Sequence, residues 1–248
     1  MSPHFLTVLR KARREMMMRL EDRILFEDNH LIIINKECGE LVQGDETGNR
    51  TLADDVKAYL KKKYNKPGNV YLGVPHRLDR PTSGVMVYAR TEKALVRMNE
   101  AFRADNEVRK TYWAIVDNIP PKESDMLTHY IVRDSKANKS TAHVKEVRGS
   151  RKAVLKYTLL ASSNRYHLLE IELYTGRHHQ IRAQLKAIGL HIKGDLKYGF
   201  PRSNPDGGIC LHSRKIVFTH PVRKEELTVV APPPKDALWD FFLSTQER

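Results

Sequence analysis

The sequence predicts an α+β fold with a mixed, largely antiparallel sheet. Three observations carry this. Segments with strand and helix patterning do not alternate in the regular βαβ order of a parallel sheet. The 248 residues are 40% hydrophobic and 29% charged, ordinary values for a globular chain with ample length for a core. No repeat of 20–50 residues, low-complexity tract or obvious linker interrupts the chain, so one domain over residues 22–248, after a basic extension at 1–21, is the simplest division.

Residues 8–20 suit a basic helix ahead of the core, read as a solvated cap. Ile24–Asp28 and Leu31–Asn35 read as two strands around an Asp28-Asn29-His30 turn. Thr51-Leu52-Ala53-Asp54 has the capping-box spacing and opens a helix to about Tyr64, which Lys66-Pro67-Gly68-Asn69 breaks. Val85–Ala89 is a strand. Thr91 caps a helix whose apolar face is Ala94, Leu95, Met98, Ala101 and Phe102. Tyr112–Val116, Leu155–Leu160 and Tyr166–Leu173 read as strands, and Ile181, Leu185 and Ile188 mark a helix ending near Gly189. Cys210–Thr219 and Leu227–Val230 are late strands, and Ala231-Pro232-Pro233-Pro234 stops the sheet before a short C-terminal helix.

Charge narrows the function classes. Lys and Arg total 43 against 30 Asp and Glu, a formal +13. Such a field concentrates polyanions. Nucleic acid is the first candidate partner, an anionic membrane the second, and a basic solvated surface the bland reading. On the first of these the 8–20 segment would be an arm grazing RNA. No run approaches the roughly 18 apolar residues that span a bilayer, and the N-terminus carries only a five-residue apolar patch, short of a signal peptide core. Cys38 and Cys210 form no CxxC pair and suit a reducing cytoplasm as buried or half-buried small side chains.

Four stretches stand out. His76-Arg77-Leu78-Asp79-Arg80-Pro81-Thr82-Ser83-Gly84 sets one carboxylate between two guanidiniums at the mouth of a strand. Positive neighbours favour the carboxylate form, which serves as nucleophile or electrostatic stabiliser; a structural ion pair is the plainer reading. In Lys110–Val116, Tyr112 and Trp113 point to opposite strand faces, either both into the core or one toward a base. Tyr174–Leu185 opens a helix with Arg177 and Arg182 near an N-terminus that suits phosphate. Its adjacent His178 and His179 lack the spacing of a metal pair. Arg133 to Lys156 holds eight Lys and Arg against two acids, read equally as a solvated hairpin or a phosphate-tracking surface. No Walker A loop, dinucleotide fingerprint or GxSxG elbow is present.

Taken together these stretches resemble the RluA-type family of RNA pseudouridine synthases, over about residues 22 to 235. The matches are His76-Arg77-Leu78-Asp79 with Thr82-Ser83-Gly84, and Lys110-x-Tyr112-x-Ala114-x-Val116. Thr175-Gly176-Arg177-x-His179-Gln180-Ile181-Arg182, Gly194-Asp195-x-x-Tyr198-Gly199, Leu211-His212 and Phe218-x-His220-Pro221 follow in the family's order. The resemblance implies a pseudouridine synthase fold with an RNA cleft across the sheet. It implies isomerisation of uridine in ribosomal or transfer RNA, with base flipping and without cofactor or metal.

By resemblance Asp79 is the catalytic aspartate, Arg177 the best match for its arginine partner with Arg182 as fallback, and Tyr112 the residue that packs on the target base. Arg77 fills the place the base leaves. His76, Arg80, Lys110, His179, Gln180 and Arg182 complete the expected RNA contacts, although no separate role falls to Arg80. The sequence departs from the family at Gln184, where many members carry His, at His191 before Ile192, and at Glu37-Cys38. Residues 1–21 are too few for an RNA-binding module of the S4 type, and a monomer is the default. The rival reading is a non-catalytic RNA-binding protein on the same fold. A methyltransferase or nuclease lacks its expected glycine-rich loop or clustered acids here.

Overall fold

The computed structural model describes residues 19–44, 48–104 and 107–246. The expected basic helix over 8–20 therefore lies almost wholly outside the described residues. A 3₁₀ turn (Leu20–Arg23) leads into β1 (Ile24–Glu27) and β2 (Leu31–Lys36). Then come α1 (Leu52–Lys63), β3 (Ser83–Ala89), α2 (Glu92–Arg103) and β4 (Val108–Val116). β5 (Ser124–Asp134), β6 (Lys139–His143), β7 (Arg151–Ser162) and β8 (His167–Leu173) follow, then α3 (Gln180–Ala187), β9 (Leu211–Thr219), β10 (Glu226–Val230) and α4 (Ala237–Gln246).

All ten strands join one sheet in the order β1-β2-β3-β9-β4-β8-β7-β5-β6, with β10 also on β9. Every pairing is antiparallel except β3 with β9. The unbroken apolar runs of β2 and β3 follow from burial on both faces. Ile32, Ile34, Met86 and Tyr88 join the larger core under α1, while Leu31, Ile33, Val85 and Val87 join a second core with Ala94 and Met98 of α2. The capping box at α1 forms as its spacing predicts: Thr51 Oγ1 accepts from the Asp54 N–H, and the Asp54 carboxylate accepts from the Thr51 N–H.

The basic 133–156 stretch is in part the expected hairpin, with β6 as edge strand on β5, and in part a loop over 144–150 that leads into β7. Its strands form the outer part of the sheet, with β5 pairing both β6 and β7. β5 escaped sequence reading because its inward face is Leu127, His129 and Ile131, and a buried histidine breaks the apolar alternation.

The sheet has a notch that positions the site. β3 meets β9 only through Ser83 and Gly84. Beyond them the edge of β3 is taken by residues 73–76: Gly73 bridges Ala89, and His76 Nε2 accepts from the Val87 N–H at 2.9 Å. The chain from 73 to 82 therefore runs along the gap where two strands part. Gly84 stands at the parting, with φ +112° and Ser213 backbone where a Cβ would go. Both its conformation and its contact exclude a side chain. Gly84→Ala is expected to lose roughly 3 kcal/mol of stability, because strain and overpacking act at one residue; an unfolding free energy within about 0.5 kcal/mol of wild type in urea titration would contradict this.

Candidate active site

Residues 75–81 line one wall of a cleft of about 1140 Å³, and Arg133, Asn138, Gly149 and Arg151 line the other. Nine Lys and Arg face it: Arg77, Arg80, Arg103, Lys110, Arg133, Arg151, Arg177, Arg182 and Lys197. Asp79 is the one carboxylate residue among the lining residues. Such walls focus a positive field on a groove and favour a polyanion in it. A recess of about 120 Å³ opens in the floor beside Asp79, Tyr112, Leu173 and Arg182.

Asp79 is held from three sides. Below it lies Lys36, 1% exposed and not anticipated from the sequence. Its Nζ donates to the carbonyls of Thr82 (2.7 Å), Glu37 (3.0 Å), Arg80 (3.1 Å) and Asp79 (3.4 Å). Three of those four carbonyls belong to the turn that carries Asp79. Burial pushes the Lys36 ammonium down to about 8, while charges at Cys38, Glu40 and Asp79 act the other way. A neutral amine has two protons to donate where the ammonium has three, so the turn loses a tether above that pH.

Single-turnover rate is accordingly expected to fall above pH 8 in wild type, and Lys36→Met to lack that limb at a rate lowered about tenfold. Unfolding does not explain such a fall. The unfolded lysine keeps its proton to about 10.4, so between 8 and 10.4 the unfolded state binds more protons. This group then adds stability as pH rises. An identical alkaline limb in Lys36→Met would discard the assignment.

On the second side, Arg182 Nη1 donates to Asp79 Oδ2 at 3.2 Å. Arg182 is 6% exposed and is itself gripped by Asp195, through Nε to Oδ2 at 2.7 Å and Nη2 to Oδ1 at 2.8 Å. Burial works against the guanidinium charge, but the bonds and charges of Asp195 and Asp79 together raise its pKa. The Tyr198 ring lies under the guanidinium at 4.7 Å. The third side is His179, whose Nε2 stands 3.4 Å from Asp79 Oδ2.

The expectation that Arg177 pairs with Asp79 is corrected. Arg177 sits in the turn before α3, exposed, and its Nε donates to the Lys152 carbonyl. Arg182 lies in the first turn of α3, whose inward face points at the Asp79 turn. Gln180 is also not an RNA contact. It is 2% exposed, and its side chain accepts from the Thr175 hydroxyl and Arg177 N–H and donates to the Val154 carbonyl. The N–H groups of Arg177 and Gln180 are both consumed inside that turn, so this part of it is not an open phosphate nest. His76, half-buried, also lines the cleft, with its ring stacked on Phe102 at 4.5 Å and its Nε2 accepting from the Val87 N–H. Burial, and then the charge of Lys110, push it down to about 3.

Arg77 is exposed and lines the cleft. Arg80 lines it too, but its Nε donates to the Gly39 carbonyl while its own carbonyl accepts from the Gly39 N–H, which locks two loops together. Lys110 reaches over the 175–178 turn, with Nζ 3.9 Å from where a Gly176 Cβ would be.

Tyr112 lines the recess, 9% exposed. β9 carries an extra residue, Arg214, in the register opposite Tyr112, and a bulge of this kind re-aims side chains. Burial lifts the Tyr112 phenol to about 12, against a hydrogen bond from Ser213 and together with the Asp79 charge. Trp113 is core: Arg214 covers its ring at 4.4 Å and its Nε1 donates to Glu170. Gln184 is fully buried and donates to the Leu127 and Ala153 carbonyls, so its departure from the family pattern touches no substrate. No group of three or more His, Cys, Asp or Glu side chains that would hold a metal occurs among the described residues. No helix among them is long and apolar enough to cross a membrane.

Known proteins resemble this chain in sequence and fold. Residues 30–187 match the RNA pseudouridylate synthase family. An uncharacterized RNA pseudouridine synthase of Synechocystis is 34% identical over 85% of this chain, and the chain spans 65% of that protein's length. Ribosomal large subunit pseudouridine synthase D of Zymomonas mobilis is 31% identical over 86% of the chain and 69% of its own length. Human RNA pseudouridylate synthase domain containing 4 superposes with a TM-score of 0.75 at 27% identity, covering 97% of this chain and 95% of the human one. The family match takes in well over half of the chain, including the turn of Asp79, the strand of Tyr112 and the helix of Arg182, and so this chain belongs to the RNA pseudouridylate synthase family, of the RluA type.

Proposed function

We propose that the chain isomerises uridine to pseudouridine in a structured RNA, with Asp79 acting at the ribose. The observation that carries this is the placement of Asp79: a lone carboxylate on the floor of a cleft lined by nine cationic side chains. The cations bind phosphates at many points and supply affinity without reading sequence. A single carboxylate at the floor of such a groove suits chemistry on a sugar.

In this reading a uridine leaves its stack at a cost of a few kcal/mol and enters the recess. Arg77 takes the vacated place. Asp79 either attacks C1′ or removes a ribose proton, and the N1–C1′ bond breaks. The base turns against Tyr112, the C5–C1′ bond forms, C5 gives up its proton and N1 gains one. The sum is an isomerisation, so no oxidant, reductant or donor is consumed. Tyr112 is a neutral phenol at neutral pH, as an ordinary tyrosine is, and burial pushes its pKa further up. It presents a ring face and a hydroxyl. Two matched relatives are named ribosomal large subunit pseudouridine synthases C and D. That supports ribosomal RNA ahead of transfer RNA as the substrate.

The test is tritium release from RNA labelled at uridine C5, prepared from cells lacking this gene, with chelator and no added cofactor. Rejoining through C5 must expel that hydrogen. Release that disappears in Asp79→Asn is the expected result. Tight RNA binding without release from the wild-type protein would instead favour a non-catalytic RNA-binding role.

A further inference from the structure

We infer that His179 is a positioning residue for Asp79: a neutral imidazole, its tautomer set by the Tyr198 hydroxyl, that donates Nε2–H to Oδ2 and leaves Oδ1 as the acting oxygen. The inference rests on the proposed role of Asp79 at the ribose.

The proton inventory carries it. The Tyr198 hydroxyl accepts from the Ser140 N–H at 2.8 Å. A backbone N–H is only a donor, so the phenol proton is free to point elsewhere. His179 Nδ1 stands 2.9 Å from the same oxygen. In the arrangement inferred, Tyr198 donates that proton to Nδ1, and Nδ1 is then the unprotonated nitrogen. The imidazole proton then sits on Nε2, the atom that faces Asp79 at 3.4 Å. Among the described residues, both contacts to the carboxylate, from Arg182 and from His179, end on Oδ2. The Arg182 hydrogen bond and the imidazole edge both meet the carboxylate at Oδ2, which directs Oδ1 away from them.

The surroundings keep the ring neutral. Burial pushes His179 down to about 4, Asp79 opposes this, and Arg182, His178 and Lys197 add to it. His178 stacks on His179 at 3.8 Å, and Arg133 of β5 and Lys139 of β6 bring further positive charge to His178 and to the Tyr198 ring. An imidazolium here would compete with Arg182 for Oδ2 and draw charge from Oδ1. The His179 backbone is left-handed, φ +51°, at the head of α3, a conformation that strains branched and bulky replacements.

Two variants share that strain and differ in one proton. Glutamine places an amide N–H near the position of Nε2, and leucine places none. His179→Leu is expected to lower kcat about 10- to 100-fold with KM within about threefold, the effect of one lost bond to a charged group. His179→Gln is expected to restore most of the rate. In Tyr198→Phe the acid limb of the rate profile should move up by about one pH unit, because Nδ1 loses its donor. The tautomer is read directly by ¹⁵N NMR of histidine-labelled protein, with Nε2 protonated and Nδ1 bare at pH 7 in wild type. Nδ1–H at His179 in an active wild-type enzyme overturns the inference, as does His179→Gln no faster than His179→Leu. Wild-type protein that shows the Nε2–H tautomer but releases no tritium would overturn the function proposed for Asp79, and with it the positioning role of His179.

Discussion

Asp79→Asn is expected to lower tritium release by about 10³-fold or more, as loss of a group that bonds the reacting atom does. Affinity for RNA should stay within about threefold of wild type. The substitution is isosteric, and Arg182 keeps both of its bonds to Asp195. The Asp79 side chain is 31% exposed, so losing its ion pair should shift stability by no more than about 1 kcal/mol. Binding comes from the nine cations of the cleft, none of which changes. The slope of log affinity against log salt, set by the number of phosphates neutralised, is therefore expected to match wild type. Filter binding across salt concentrations, beside the release assay on the same preparations, separates the terms. Persistent release from Asp79→Asn would move the chemistry to another residue. A collapsed salt slope would mean that the variant has lost the cleft and not the reaction.

Much of this was legible in the sequence because the chemistry sits in short local runs. Asp79, Tyr112 and the 175–182 segment stood out through the order in which their motifs resemble one family, since each alone reads as an ion pair, a core aromatic or a basic turn, and the antiparallel sheet followed from strands that refused a βαβ rhythm. What stayed hidden depends on contacts distant in sequence. Lys36 reads as the polar end of an apolar strand, and only the fold brings its ammonium under a turn 43 to 46 residues away. Asp195 and Tyr198 were visible as a motif, but nothing local says that one grips Arg182 and the other addresses His179. The choice of Arg177 over Arg182 failed for the same reason. Both are cations in one run, and the phase of α3, which begins at Gln180, decides which turns inward. β5 was missed because its inward His129 and partly exposed Tyr130 imitate a polar loop.

Arg182→Met is expected to be the most damaging change outside Asp79, and on two counts. It removes the donor to Asp79, and it leaves Asp195, 1% exposed, without its ion-pair partner and with only the Tyr198 N–H to Oδ1. An orphaned buried carboxylate costs about 3–5 kcal/mol, which in a chain of this size lowers Tm by about 10 °C. Stability and activity come apart in the double variant Arg182→Met with Asp195→Asn. A neutral amide carries no buried charge, so most of the lost stability should return, while activity should not, because Asp79 still lacks its partner. Arg182→Lys should behave nearer to Met than to Arg: one ammonium cannot offer the fork that holds Asp195 and still reach Asp79. Arg177→Ala is the control. It is an exposed residue bound to one backbone carbonyl, and its loss should move stability by about 0.5 kcal/mol or less and weaken RNA binding modestly without touching the chemical step. If Arg177→Ala abolished turnover while Arg182→Met kept it, the ion pair at the floor of the cleft would be a structural strut, and the partner of the catalytic carboxylate would be the arginine that closes over the substrate.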